Sequence, residues 1–273
     1  MKFADLHVHS VFSDGTYSPE KLVTASANAK LSSISIVDHD SVGGIVPALN
    51  AAVSLGIEVV PGIELSAEYE GSEIHILGYL IDYKNRTFLE RLNYLKDNRI
   101  ERVHKIVGKL RDLGVNLDSN SVFNLAKQGT VGRLHIARAM VLEGKVNSVF
   151  EAFQEYIGDK CPAYVLGFKF SPLEAIKLIK DAGGIPVLAH PYSLHNDEMI
   201  LQFIQCGLMG IEAYYPEHSQ SMINFYKNLA AKHNLLVTGG SDFHGDAKPG
   251  VKIGCMKIPY ELVEIIKEAK KAL

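Results

Sequence analysis

The sequence predicts an α/β fold whose strands end at a shared site, and three observations carry that prediction. Short apolar runs alternate with amphipathic stretches from Phe3 to Leu80 and again from Ser171 onward. Histidines and acids stand where nearly all of those runs end. Between the two blocks, residues 83–160 are more charged and read as helix without strand-like runs. The alternation implies a parallel sheet with helices outside it. The helical block reads as an insertion on a surface loop, where insertions are tolerated. The expected organisation is an α/β unit of residues 1–82 and 161–273, interrupted by a small helical domain over 83–160.

Residues 3–6 form the first strand. Ser18-Pro19-Glu20 starts a helix, with Ser18 as N-cap and Pro19 in the first turn, ahead of apolar Leu22, Val23 and Ala25. Residues 31–37 are the next strand, ending in Asp38-His39-Asp40. Residues 44–55 are helical by the spacing of Ile45, Ala48, Leu49 and Ala52. Residues 57–60 form a strand that ends at Pro61-Gly62-Ile63-Glu64, and 65–69 with 73–80 form a hairpin turned at Glu70-Gly71. Leu89, Leu92, Leu95, Ile100, Val103, Ile106, Val107 and Leu110 then repeat at helical spacing up to Gly114. Asp118 or Ser119 caps a short helix through Leu125, and 130–142 and 147–157 are two more. The α/β rhythm resumes with a helix capped by Ser171-Pro172 and a strand over 184–189 that ends in His190-Pro191. A helix over 196–205, a strand over 210–214 and a helix over 219–233 follow. A strand over 235–238 ends in Gly239-Gly240-Ser241-Asp242-Phe243-His244, and 251–258 and 261–272 are the last strand and helix.

Composition excludes several classes. With 273 residues, 47% of them hydrophobic, the chain can bury a sizeable core. No apolar run approaches the roughly 18 residues that a membrane helix needs. Met1 leads straight into a strand, so no secretory leader is expected. A net charge of −3 argues against a broad basic footprint for long nucleic acid, while a small anionic substrate held by a few local charges fits. Cys161, Cys206 and Cys255 share no close spacing, so they are expected as reduced, buried residues of a cytoplasmic protein. The 11 histidines are the compositional oddity.

His7 and His9, one residue apart at a strand end, can turn both imidazoles toward one ion if the backbone bends there. Asp14, in a Ser-Asp-Gly turn, can bring a carboxylate back over the same pocket. His39, Glu64, His75, His190, His218, Asp242 and His244 fall at or near the ends of later runs. In a (β/α) barrel all such ends lie on one face, where sites are built. Taken singly, each has an ordinary explanation: a strand-end histidine is usually a hydrogen-bonding residue, and Glu64 could cap a helix entry. Their coincidence points to metal. Imidazole and carboxylate without thiolate suit Zn, Mn or Fe. The donors are too many for one ion, so two or three divalent ions are expected, with Glu64 a candidate bridge. Such clusters suit phosphoester hydrolysis, because they generate hydroxide at neutral pH and clamp the phosphoryl oxygens during in-line displacement.

Asp5-Leu6-His7-Val8-His9-Ser10, Asp38-His39, Gly62-Ile63-Glu64, His75, Ala189-His190-Pro191 and Ser241-Asp242-Phe243-His244 resemble the PHP (polymerase and histidinol phosphatase) phosphoesterases. The resemblance covers everything but the insertion. It implies a distorted, TIM-like barrel of seven strands with a trinuclear centre. Carried over position by position, it implies that His7, His9, Glu64 and Asp242 bind a first metal, Glu64, His75 and His190 a second, and Asp14, His39 and His244 a third. Some members carry a histidine where this chain has Asp14.

A narrower resemblance joins Gly132-Arg133-Leu134-His135-Ile136-Ala137 and Tyr215-Pro216-Glu217-His218 to the PHP subgroup acting on nucleotides. That subgroup includes nucleoside 3′,5′-bisphosphate phosphatases and exonucleases that trim short RNA from its 5′ end. Arg133 and His135 fall in the first turn of a helix, whose N-terminus favours anions, and the Arg fork suits a phosphate that is not being cleaved. The resemblance thus implies a metal-bound hydroxide as nucleophile, Arg133, His135 and His218 as substrate contacts, and His218 as a candidate acid. AMP, adenosine 3′,5′-bisphosphate or short RNA would be the ligand, inorganic phosphate the product, and the insertion a lid. Arg99, Arg102 and Arg138 read as exposed helix charges. A histidinol-phosphate phosphatase and a non-catalytic metal-binding PHP domain are the competing readings. The Gly-Arg-x-His stretch counts against the first and the complete ligand set against the second.

Overall fold

The computed structural model describes residues 2–127, 129–167, 170–194 and 196–273. Two sheets hold the nine strands found among them. One has the order β3 (Glu58–Val59), β2 (Ser33–Ile36), β1 (Phe3–Val8), β9 (Ile258–Pro259). The other runs β4 (Gly62–Tyr69), β5 (Ser72–Tyr79), β6 (Ile185–Leu188), β7 (Gly210–Tyr214), β8 (Leu236–Gly239). Strands β2, β6 and nearly all of β1 and β7 are buried, and only β6 is apolar throughout, since Asp5, His7, Ser33, Ser35 and Glu212 are buried within the others.

The expected parallel sheet is found only in part. Pairs β1–β2, β2–β3, β6–β7 and β7–β8 are parallel, but β4–β5, β5–β6 and β1–β9 are antiparallel. The reversal begins at the expected hairpin turn, where Glu70 and Gly71 both take positive φ (50° and 82°), as a two-residue hairpin turn of type I′ requires. The last strand is much shorter than 251–258. Gly254, at φ 71°, turns the chain there, and only Ile258–Pro259 pairs. Glu64 does not follow a strand end; it lies within β4.

The two sheets share one core. Ala4 and Leu6 of β1 pack with Leu77 and Tyr79 of β5 and Ile185 and Val187 of β6. Where the sheets meet, ladders give way to single bridges, Val8 to Phe243 on one side and His39 to Glu64 on the other. A closed barrel ladder is therefore not formed among the described residues.

Helices cover the outside. Ser18 caps α1 (Pro19–Asn28) as expected. Helix α2 (Ile45–Leu55) packs beside it over Ile34 and Val59. The long α3 (Arg86–Asp112) opens the helical stretch, followed by α4 (Ser119–Ala126, capped by Asp118), α5 (Arg133–Leu142) and α6 (Val149–Ala152). α6 runs into a π-helical turn, Phe153–Ile157, in place of one longer α-helix. Residues between Val103 and Ala163 form an apolar cluster of their own. Ser171 and Glu174 make a reciprocal capping box at α7 (Pro172–Asp181). Helices α8 (Glu198–Gln205), α9 (Gln220–Lys232) and α10 (Glu261–Lys271) complete the chain. The three cysteines are free, but they are not buried: Cys206 and Cys255 are exposed and Cys161 half-buried, at helix ends and turns and not in the core.

Candidate metal centre

The pairing of β1 with β2 shifts register between Asp5 and Val8, so the strand end is irregular where the His-x-His pair sits. His7 Nε2 and His9 Nε2 come within 3.1 Å of each other. Both face Glu64 Oε2, at 3.4 and 3.2 Å, and Asp242 Oδ1, at 3.4 and 3.2 Å. Two buried carboxylates shape the loops around them. Asp38 accepts from the Ser10 N–H and from the hydroxyls of Ser10 and Ser13. This folds the turn that returns Asp14, with Oδ1 3.1 Å from His244 Nε2 and Oδ2 3.7 Å from His39 Nε2. Asp5 accepts from the Ser241 and Gly254 N–H groups and so holds the loop bearing Asp242 and His244. From the second sheet, Glu64 Oε1 faces His75 Nδ1 at 3.0 Å and His190 Nε2 at 3.2 Å, and its Oε2 faces His39 Nδ1 at 3.1 Å.

All of the residues predicted as ligands therefore meet at one place. Three compact groups stand out, each with candidate donor atoms within 4.8 Å: His7, His9 and Asp242; His39, Glu64 and His75; and His9, Asp14, His39 and His244. His9 and His39 each belong to two groups. His190 lies outside all three, yet its Nε2 is 3.2 Å from His75 Nδ1. Asp242 and His190 hold left-handed backbone, with φ 52° and 26°, the kind of conformation that persists where surrounding structure imposes it.

The donor set fits divalent cations. Asp14 Oδ1, His39 Nδ1 and Glu64 Oε2 are buried without any hydrogen-bond partner. Each lies about 3 Å from another donor atom of the cluster, but with the wrong geometry for a hydrogen bond. Buried polar atoms are ordinarily satisfied, so lone pairs converging in this way ask for a cation. The charge balance agrees. Burial alone would raise the carboxyls of Glu64, Asp14 and Asp242; neighbouring histidines, with Lys248 beside Asp242, hold all three well below the usual range. Burial opposes charge on His9 and His75, but Glu64 with Asp242 pushes His9 up to about 9, and Glu64 with Glu73 pushes His75 up to about 10. The acids at this site favour positive charge among themselves.

The cluster forms the floor of a cleft of about 1050 Å³ whose wall comes from α5, α6 and the loops around Tyr192 and Lys248. Arg133 opens α5 and lines the cleft; its guanidinium lies 3.2 Å from Glu73 Oε2 and 2.6 Å from Asp159 Oδ1. His135 and His218 are not among the lining residues. His135 is buried, and its Nδ1 accepts the Gly132 N–H. Burial pushes it down to about 4, so it is neutral. The His218 ring is buried against Tyr192, Tyr215 and Tyr226, with Nδ1 2.9 Å from the Ala213 carbonyl and Nε2 unpartnered.

The expectation that Arg99 and Arg102 are exposed is wrong. Both are buried; Arg99 donates to Asp40 and Ser66, and Arg102 to Glu73 and the Val165 carbonyl. Arg138 is half-buried and lines the cleft. The signal was present: 99 and 102 fall on the same helical stripe as Leu92, Leu95, Ile106 and Leu110. Also unforeseen are Glu73, which joins His75 to Arg102 and Arg133, and Tyr215 and Lys248, which both donate to Asp242 Oδ2. Glu212, which faces His7, was missed as well.

A PHP domain model matches residues 5–157. The chain belongs to the PHP family. It is 30% identical to a 3′,5′-nucleoside bisphosphate phosphatase of Chromobacterium violaceum over 256 residues, covering 92% of this chain and 90% of the relative. It is 34% identical to a 5′-3′ exoribonuclease of Haemophilus influenzae over 245 residues, covering 88% and 89%. A crystal structure from Bifidobacterium adolescentis, provisionally named a metal-dependent phosphoesterase, superposes with a TM-score of 0.89 at 31% identity, covering 96% and 94%. The PHP chain described here is accordingly a phosphoric ester hydrolase, and its His/Asp/Glu groups suit divalent metals. No helix among its described residues is long and apolar enough to cross a membrane.

Proposed function

We propose that this PHP enzyme hydrolyses phosphate esters of small nucleotides, either nucleoside 3′,5′-bisphosphates or the 5′ end of short RNA. The observation that carries the proposal is the donor cluster, with the unpartnered Asp14 Oδ1, His39 Nδ1 and Glu64 Oε2, on the floor of a cleft whose wall presents Arg133. His7, His9, Glu64 and Asp242 would hold a first cation, Glu64, His75 and His190 a second, and Asp14, His39 and His244 a third, drawn from Mn, Fe or Zn. The compact groups support this division, with His9 and His39 lying close to two positions each. Bound there, divalent cations supply a nucleophile at neutral pH and neutralise charge on the phosphoryl oxygens.

The chain's own residues do the rest. Tyr215 and Lys248 hold Asp242 Oδ2, which leaves Oδ1 toward the histidines. Arg133, the lining cation in the first turn of α5, receives the phosphate that is not cleaved. Of its proposed companions, His135 serves the helix start, and His218 reaches the cleft only through the tyrosines packed on it. Phe150 on α6 is 70% exposed and lines the same cleft, an available face for a nucleobase. Residues 83–160 act in this reading as a substrate-facing domain, supported by their separate apolar cluster. The bridges Val8–Phe243 and His39–Glu64 support a distorted barrel in which β1, β2, β4, β5, β6, β7 and β8 form the ring.

The test is hydrolysis of adenosine 3′,5′-bisphosphate and of a short 5′-phosphorylated RNA, side by side with added Mn²⁺. Release of phosphate from the first, or of 5′ mononucleotides from the second, is expected. If histidinol phosphate is turned over and neither nucleotide is, the reading fails.

A further inference from the structure

Glu212 is a fully buried carboxylate in β7. Its two oxygens are divided between the two halves of the centre. Oε1 lies 2.9 Å from His7 Nδ1, and Oε2 accepts the His190 backbone N–H at 2.8 Å. His7 comes from one sheet, and His190 follows a strand of the other. A carboxylate accepts at this position, so a neutral His7, the form that ligates, would carry its proton on Nδ1 and leave the lone pair on Nε2. That Nε2 is the atom facing His9, Glu64 and Asp242. The second bond reaches a backbone position at φ 26°, a conformation that a histidine rarely adopts without being held there.

We infer that Glu212 is a positioning residue: it sets the His7 tautomer and anchors the His190 backbone, so one side chain prepares donors for two cation positions. The inference rests on the reading of His7 and His190 as metal ligands. It also explains why an acid sits inside an otherwise apolar strand.

Replacement by glutamine discriminates sharply. The His190 N–H can only donate, so the amide oxygen must serve it. The amide N–H₂ then faces His7 Nδ1 and draws the lone pair there. The His7 proton moves to Nε2 and points at the cation position, while the fold keeps a side chain of the same shape.

The experiment is titration of the ligand-free full chain with Mn²⁺ alone, followed by calorimetry, for the parent and Glu212→Gln. The variant should melt within a few degrees of the ligand-free parent and bind about tenfold to a hundredfold more weakly. Equal affinity in the two proteins would overturn the assignment. Should the variant fail to fold, nitrogen-resolved NMR of the Zn²⁺-loaded parent decides. A proton on His7 Nδ1 supports the inference, and one on Nε2 overturns it. A parent that takes up neither ion overturns the ligand reading underneath.

Discussion

The floor and the wall of the cleft treat charge in opposite ways. On the floor, donors crowd together and several buried atoms have no partner. On the wall, two of the arginines are engaged in advance: Arg99 with Asp40, and Arg133 with Glu73 and Asp159. An unsatisfied set of lone pairs can be completed only by something positive from outside. A set of paired cations is stable without a ligand, and an incoming phosphate must compete with the acids already there. Under the proposed function, the floor would bind cations tightly and the wall would sort anions weakly and selectively.

Removing a floor residue should have the largest effect. Asp242→Ala deletes one of the two acids facing both His7 and His9, and kcat/KM on a nucleotide substrate should fall by about a thousandfold or more. A loss below tenfold would mean that Asp242 is not part of the reacting centre. On the wall, Arg99→Ala leaves Asp40 buried without its cation, so urea unfolding should register a loss of about 3–5 kcal/mol. An unchanged midpoint would show that the pair is not what secures α3 to the loop after β2. Stripping metal with a chelator should abolish turnover and lower Tm by about 5 °C or more relative to protein in excess Mn²⁺, since ligand at a hundred times its Kd stabilises by about 2.7 kcal/mol. Turnover that survives exhaustive chelation would end the distinction between floor and wall. The smallest effect is the most selective. Arg133→Ala should raise KM for a bisphosphate about tenfold, consistent with loss of one charge-assisted contact, and spare a simple phosphomonoester. Equal loss on both would place Arg133 in the general machinery and not in substrate choice.

Much of the floor was legible in the chain because its residues sit in short local patterns at strand ends: His7-Val8-His9, Asp38-His39, Asp242-Phe243-His244. A run that stops being apolar at a histidine or acid carries its own signal. Glu212 carried none, because Gly-Ile-Glu-Ala-Tyr reads as a strand whichever way the glutamate points, and only the partner across the core decides. The buried arginines of α3 were misread for a related reason. Their helical stripe was visible, but the carboxylates and carbonyls that cover them come from distant segments. The strand directions in β4–β6 were half legible. The Glu70-Gly71 turn announced one reversal, whereas the orientation of β6 depends on how the chain returns after the long helical stretch.

The meeting lines between the two sheets have one last consequence. Val8–Phe243 and His39–Glu64 are single bridges, reinforced by Asp242 N–H to the His7 carbonyl at 2.7 Å and Asp40 N–H to the Glu64 carbonyl at 2.9 Å. These are the thinnest stretches of backbone pairing, and the candidate ligands straddle both. Ions seated there would act as rivets, fastening two independently laddered plates along the joints where the chain itself provides least.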